Sequence, residues 1–131
     1  MKISWLPTVA GLAVVGTVIR AAFFTPLEAK QGAAQKIFYI HVPSAWVAFL
    51  AFGLVAVASA VFLWLRDPRL DRFAESSAEV GVVFTTVVLI TGPLWAKPNL
   101  GTYWAWWDVR LGSSRFLWLL SVSLTIVRAH L

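Results

Sequence analysis

The longest uncharged run of the chain, from Ile37 to Leu65, limits its fold more than any other feature. These 29 residues contain no Asp, Glu, Lys or Arg. A helix needs about 20 consecutive apolar residues to cross the hydrocarbon core of a bilayer, so the run is a predicted membrane span. Proline is tolerated in the first turn of a helix. Pro43 therefore predicts that the span begins near Val42 and leaves His41 at its entrance.

The composition also indicates an integral membrane protein. Of the 131 residues, 13% are charged, which is about half the fraction of a soluble domain. We predict an all-α fold in which residues 1–131 form a single membrane domain, a helical bundle. Its four spans are expected at about 3–24, 37–65, 78–96 and 111–128. The last has only twelve uncharged residues between its arginines, so it is marginal as a span. We therefore expect a chain shortened at its C-terminus.

The residue types exclude several functions. The chain has no cysteine, so it offers no disulfide, thiolate metal site or cysteine nucleophile. Its eleven Lys and Arg are scattered between apolar runs, which argues against nucleic acid, while the net charge of +5 suits anionic headgroups of membrane lipid. The spans lack charged residues at mid-depth, which ranks an ion pore last. The hydroxyls of Thr85, Thr86 and Thr91 are expected to bond their own helix or a neighbouring one.

An aromatic stretch from Gly92 to Arg110 follows the predicted third span. Five of its nineteen residues are aromatic, and Pro93, Pro98 and Gly101 predict that it is not one continuous helix. Such residues form interfacial belts in membrane proteins, which is the simplest interpretation. Their density instead favours a flat platform for a large apolar ligand with a charged edge. A spacing of three and four residues predicts a short amphipathic helix in the membrane interface, formed around Tyr103, Trp106 and Trp107.

With four spans, the entrance at His41 and the aromatic stretch lie on the same membrane face. Several cations, including Lys97 and Arg110, accompany them. Haem requires a neutral imidazole for its iron, an apolar surface for its ring and cations for its propionates. Taken singly, His41 is an interfacial hydrogen-bonded residue, the cations contact headgroups, and Asp108 is a local hydrogen-bond acceptor. Taken together, they predict a haem site. His130 lies at the opposite face and is expected to play no part in it.

Two segments resemble a known family. Gly92–Pro98 and Gly101–Leu111, which contain the letters WAWWD, resemble the tryptophan-rich signature of haem-handling proteins. The segment Ile37–Trp46 resembles the first histidine region of the same proteins. Among their branches, the chain is most similar to the haem exporter protein C family of cytochrome c maturation. The resemblance covers most of the chain and about the first two thirds of a six-span architecture.

The resemblance implies a haem-delivery protein of the bacterial inner membrane rather than an enzyme. It would present non-covalent haem b at the outer face to a haem chaperone, alongside subunits of an ABC-type transporter and a small accessory membrane subunit. His41 would be an axial iron ligand, and the second ligand would come from a later segment outside this chain. The other implied cofactor-binding residues are Tyr103, Trp104, Trp106, Trp107, Asp108, Arg110 and Lys97. The alternative is an assembly subunit that binds no ligand and docks a partner on its tryptophans.

Overall fold

The computed structural model describes residues 4–27, 29–103 and 108–131. These residues contain helices and no β-strand, so the predicted all-α fold is confirmed. A short 3₁₀ helix, Ala33–Ile37, precedes the second α-helix directly. The α-helices are α1 Trp5–Phe23, α2 Phe38–Leu65, α3 Pro68–Leu100 and α4 Val109–His130.

Three helical segments are long and apolar enough to cross a membrane: Trp5–Phe23, Ala33–Leu65 and Pro68–Leu100. The protein is therefore a multi-pass membrane protein. Within the part of the chain that the structure describes, α4 does not meet the same criterion. It has 22 residues, but arginines near both of its ends and one in its first half lower its hydropathy. The fourth span remains a prediction.

Small residues form the seam between α2 and α3, which is the most extensive helix pair. Helices in membranes associate closely where small side chains let their backbones approach. At Gly81, an added Cβ would lie only 2.9 Å from the ring of Phe52, so this glycine is required for the ring to fit. The buried residues of the two helices are all small: Ser44, Ala48, Ala51 and Ala58 in α2, and Ala74, Gly81, Thr85 and Ala96 in α3.

Helix α4 packs antiparallel against α3 and is attached to it at two levels. The indole Nε1 of Trp118 donates a 2.7 Å hydrogen bond to the hydroxyl of Thr86. The guanidinium of Arg128 lies 2.5 Å from the Asp71 carboxylate. The C-terminal end of α4 therefore lies beside the start of α3, at the turn that joins α2 to α3.

The beginning of α2 differs from the prediction. The helix begins at Phe38 rather than near Val42, because the 3₁₀ helix leads into it without a break. Pro43 lies inside the helix, where it removes only the one hydrogen bond that its missing N–H would have donated to Tyr39. His41 is consequently the fourth residue of α2 and not a residue of the preceding loop.

The end of α3 also differs from the prediction. Pro93 and Pro98 lie inside α3, which includes the whole predicted span 78–96 and continues to Leu100. The prediction that the stretch from Gly92 to Arg110 is not one continuous helix is nevertheless correct, because of Gly101. Gly101 ends the helix: its φ is 79°, and its N–H donates a 3.0 Å bond to the carbonyl of Lys97. A left-handed residue after the last turn is the common helix stop, and glycine adopts it without strain.

Candidate functional site

His41 is held between α2 and α3. Its ring atom Nδ1 lies 2.8 Å from the hydroxyl oxygen of Thr91. That hydroxyl donates in turn to the carbonyl of Val87, one turn earlier in α3, at 2.8 Å. A Cβ built on Gly92 would lie 3.6 Å from the Cε1 atom of the ring, so the imidazole approaches the backbone of α3 closely. The histidine is half-buried and fixed on its Nδ1 side.

The position of Thr91 shows the depth of this site. Leu100, the last residue of α3, lies nine positions after Thr91, which corresponds to about 14 Å along a helix axis. His41 therefore does not lie at the rim of the bundle, as the predicted start of α2 implied. The last turns of α3 extend beyond it towards Leu100.

Trp95 connects the last turns of α3 to the segment before α2. Its indole Nε1 donates a 2.9 Å bond to the side-chain oxygen of Gln31, and its ring packs against Phe38 at a centroid distance of 5.2 Å. The sequence analysis gave Trp95 no role of its own. The sequence alone does show that Trp95 lies four residues after Thr91, which places the two on the same face of a helix.

Lys97 and Tyr103 lie at the C-terminal end of α3, and both are exposed. The ammonium nitrogen of Lys97 is 5.2 Å from the centroid of the Tyr103 ring and 3.3 Å from the carbonyl oxygen of Gly101. A cation near an aromatic face and near the last carbonyls of a helix is stabilised by both. The ammonium group is thus held near the start of the tryptophan-rich segment.

Asp108 and Arg110 begin α4. The Asp108 carboxylate accepts the backbone N–H of Arg110 at 2.9 Å and so caps the helix. It also pairs with the Arg110 guanidinium at 3.3 Å, although that side chain is 91% exposed. The hydrogen bond from the Arg110 side chain and then that from its backbone hold the pKa of Asp108 below its usual range. Asp108 was predicted to be a local hydrogen-bond acceptor, but its role as the N-cap of α4 was not predicted.

The same arrangement begins α3. Asp67 caps that helix through the N–H of Arg69 at 2.9 Å and pairs with its guanidinium at 3.1 Å. An aspartate two residues before an arginine thus serves as a helix start at both positions.

The three tryptophans of the predicted platform, and with them the predicted amphipathic helix, lie outside the described residues: Trp104, Trp106 and Trp107.

The metal-binding side chains of the described residues suit haem iron and do not suit a bare metal ion. Residues 4–27, 29–103 and 108–131 contain no cluster of three His, Cys, Asp or Glu side chains that could hold a bare ion. Haem iron brings four ring nitrogens and needs only axial ligands, so a single imidazole is sufficient to bind it. The Nε2 atom of His41 has no hydrogen-bond partner within those ranges. His130 is exposed and bonds the carbonyl of Ile126 in its own helix, at the end of the bundle where Arg128 lies.

Comparison with known proteins confirms the resemblance. A family profile described as "Heme exporter protein C" matches residues 1–130. The chain is 42% identical over 99 residues to the "Heme exporter protein C" of Bradyrhizobium diazoefficiens, covering 76% of this chain and 37% of that protein. It is 33% identical over 120 residues to the protein of the same name from Escherichia coli K12, covering 92% and 49%.

A plant protein is similar as well. The "Putative cytochrome c biosynthesis ccmC-like mitochondrial protein" of Marchantia polymorpha is 38% identical over 95 residues, which cover 72% of this chain and 41% of the relative. The chain therefore spans less than half the length of each of these three relatives.

Proposed function

The chain belongs to the haem exporter protein C family, and on that premise we propose that it binds haem for delivery in cytochrome c maturation. It acts as a binding and delivery protein rather than as an enzyme. The observation that carries the proposal is the half-buried His41, bonded to Thr91 through one ring nitrogen. A neutral imidazole held in this way at the aromatic end of a membrane bundle is suited to axial ligation of haem iron.

The remaining site residues would hold the edge and face of the ring. Lys97, whose ammonium group lies near Tyr103, would meet a propionate, and the exposed guanidinium of Arg110 keeps donors beyond those that Asp108 uses. Tyr103 and the three neighbouring tryptophans would cover the macrocycle. Asp108 would contribute by starting α4 and so fixing the C-terminal end of the tryptophan-rich segment.

The route of the haem is the finer part of the proposal. We propose non-covalent haem b, presented at the outer face of the bacterial inner membrane to a haem chaperone. The partners would be ABC-type transporter subunits and a small accessory membrane subunit. The word "exporter" in the names of the bacterial relatives supports transport across a membrane, and the plant relative's name refers to cytochrome c biosynthesis.

A second candidate is an assembly subunit that binds no ligand. The observation that favours it is the Asp108–Arg110 cap, since the same cap at Asp67 has a purely local role. In this alternative the tryptophan-rich segment docks a partner protein.

A haem titration of the purified chain in detergent separates the two candidates. We expect a Soret band from the wild type and a loss of haem affinity of more than about tenfold in His41→Ala, because mutations that merely perturb a metal ligand already cost about 10–100-fold. His130→Ala is the matched control and should bind as the wild type does. A wild-type chain that gives no Soret band, or a His41→Ala variant with an unchanged one, would contradict the proposal.

The second axial position gives a further test. His41 supplies one strong ligand, and the second is proposed to lie in a segment outside this chain. Added imidazole should therefore tighten haem binding and shift the wild-type spectrum towards six-coordination. A tight six-coordinate spectrum of the monomeric chain that is indifferent to imidazole would contradict this description of the site.

A further inference from the structure

The hydroxyl of Thr91 has one hydrogen and lies within hydrogen-bond distance of two groups, the carbonyl of Val87 and the Nδ1 atom of His41. Its oxygen lies 2.8 Å from the carbonyl of Val87, an atom that can only accept. Both contacts of this oxygen are hydrogen bonds at the same time only if the hydroxyl donates to Val87 and accepts from the imidazole of His41. In that arrangement the proton of a neutral His41 resides on Nδ1.

This fixed proton leaves the other nitrogen of the ring with its lone pair. A neutral imidazole carries one N–H, so a ring protonated at Nδ1 is unprotonated at Nε2. Only the unprotonated nitrogen can bind a metal. Histidine ligands commonly donate their second ring N–H to a fixed acceptor, which sets the tautomer and the orientation of the ring.

We propose that Thr91 is a positioning residue, which holds His41 as the Nδ1–H tautomer and so keeps Nε2 ready to bind haem iron. The inference rests on the haem-binding function proposed above, which it deepens. Gly92 lies beside the same ring, where a Cβ built on it would make an ordinary 3.6 Å contact with the Cε1 atom of His41. Neither residue contacts the iron in this arrangement. Thr91 acts only through the ring that it orients.

The chain contains a matched control for this proposal. Thr86, five residues earlier in α3, donates to the carbonyl of Val82 at 2.7 Å and accepts the indole N–H of Trp118 at 2.7 Å. It therefore makes the same pair of bonds, but with a tryptophan in place of the histidine. Thr86→Val removes an equivalent hydroxyl from the same helix without touching His41.

The first measurement needs no haem. ¹⁵N NMR of the apo chain, labelled at histidine and kept at a pH where the ring is neutral, distinguishes the two tautomers. The His130→Ala background leaves His41 as the only histidine. We expect the Nδ1–H form in that background and in Thr86→Val. Thr91→Val should shift the ring towards the Nε2–H form, because Nδ1–H has lost its acceptor, and Thr91→Ser should restore the original form.

The second measurement is the haem titration of the same variants. Thr91→Val should weaken haem binding by about 10–100-fold, while Thr91→Ser and Thr86→Val should remain within about threefold of the background chain. Helical content and elution volume establish that each variant is folded, and Thr91→Ser supplies a test that keeps the hydroxyl.

The outcomes separate this inference from the function on which it rests. If His41→Ala abolishes binding while Thr91→Val changes neither the tautomer nor the affinity, the function stands and the role of Thr91 is wrong. If the background chain binds no haem at all, the proposed function fails and the positioning role falls with it. A coupled change of tautomer and affinity, seen in Thr91→Val alone, supports both.

Discussion

The two ends of the bundle are held together by different chemistry. At the turn between α2 and α3, charged groups pair with each other, as Asp71 does with Arg128 of α4. At the aromatic end, uncharged side chains make the bonds from α3 to the preceding segments, from His41 to Thr91 and from Trp95 to Gln31. An ion pair satisfies both of its partners, whereas an imidazole bonded through one nitrogen keeps the other available. The proposed haem site accordingly lies at the aromatic end.

The comparison also identifies a feature that the two ends share. Asp67 and Asp108 cap α3 and α4 through an arginine two residues later, with the same 2.9 Å bond to the backbone. Asp108, the aspartate of the tryptophan-rich signature, therefore acts as a helix N-cap. Asp67 makes the same cap at a position where no ligand is proposed. The ends differ in what surrounds the cap and not in the cap itself.

The largest expected effect comes from separating α2 and α3. In Gly81→Val the added side chain would collide with the ring of Phe52, and overpacking of this kind costs about 1–3 kcal/mol. Because the His41–Thr91 bond crosses this seam, haem binding should weaken together with thermal stability in detergent. The bridge from Arg128 to α3 does not cross the seam and should persist.

Gly53→Val is the matched control, since nothing lies within 4 Å of a Cβ built at Gly53. It should change the melting temperature less than Gly81→Val does. Equal losses in the two variants would show that the seam around Gly81 does not hold the aromatic end in place.

Two indole hydrogen bonds provide the next test. Trp95→Phe removes the bond to Gln31, and Trp118→Phe removes the bond to Thr86; each should cost about 0.5–1.5 kcal/mol. Hydrogen exchange should then increase in 29–38 for Trp95→Phe and in α4 for Trp118→Phe. If both variants loosen α4 alone, Trp95 does not fasten the aromatic end.

The ion pair at the opposite end should matter less. The side chains of Arg128 and Asp71 are 31% and 43% exposed, and such pairs contribute about 0–1 kcal/mol. Arg128→Met should therefore lower stability slightly, in a manner that high salt removes, and should leave haem binding unchanged. A double-mutant cycle with Asp71→Asn measures the pair directly, and a coupling well above about 1 kcal/mol would contradict this estimate.

The smallest effect is expected on acidification. Arginine side-chain bonds, and then backbone bonds, lower the pKa of Asp67 and of Asp108 in the folded chain. A lowered folded pKa stabilises the fold above the ordinary aspartate pKa of about 4, and the contribution is lost as the pH falls through the folded value. Fraying at the starts of α3 and α4 should therefore increase below about pH 4, as measured by circular dichroism.

Asparagine variants connect this pH dependence to the comparison of the two ends. Asn is also a good N-cap, so Asp67→Asn and Asp108→Asn should each reduce the acid response while keeping the helix start. If Asp108 matters only as a cap, the two variants should bind haem equally well. A selective loss of haem in Asp108→Asn would assign the carboxylate a further role at the aromatic end.

The uncharged runs predicted the helices because burial in lipid leaves few alternatives to a helix. The errors fell at proline. Pro43 was expected in the first turn of its helix, and Pro93 and Pro98 were expected to interrupt the stretch from Gly92 to Arg110. All three lie inside helices, where each removes only one backbone bond. In α3 the boundary is Gly101, whose positive φ ends the helix. The general rule that proline interrupts a helix fails where the packing between α2 and α3 continues past the proline.

The sequence by itself determined an all-helical membrane chain, its family, and a histidine on the same face as a tryptophan-rich segment. These conclusions depend on hydropathy and motif order, which are local along the chain. Only the tertiary structure decided that Thr91, fifty residues from His41, is the hydrogen-bond partner of the imidazole. That pairing follows from the register between α2 and α3, which the small residues of the seam set and which no local pattern contains.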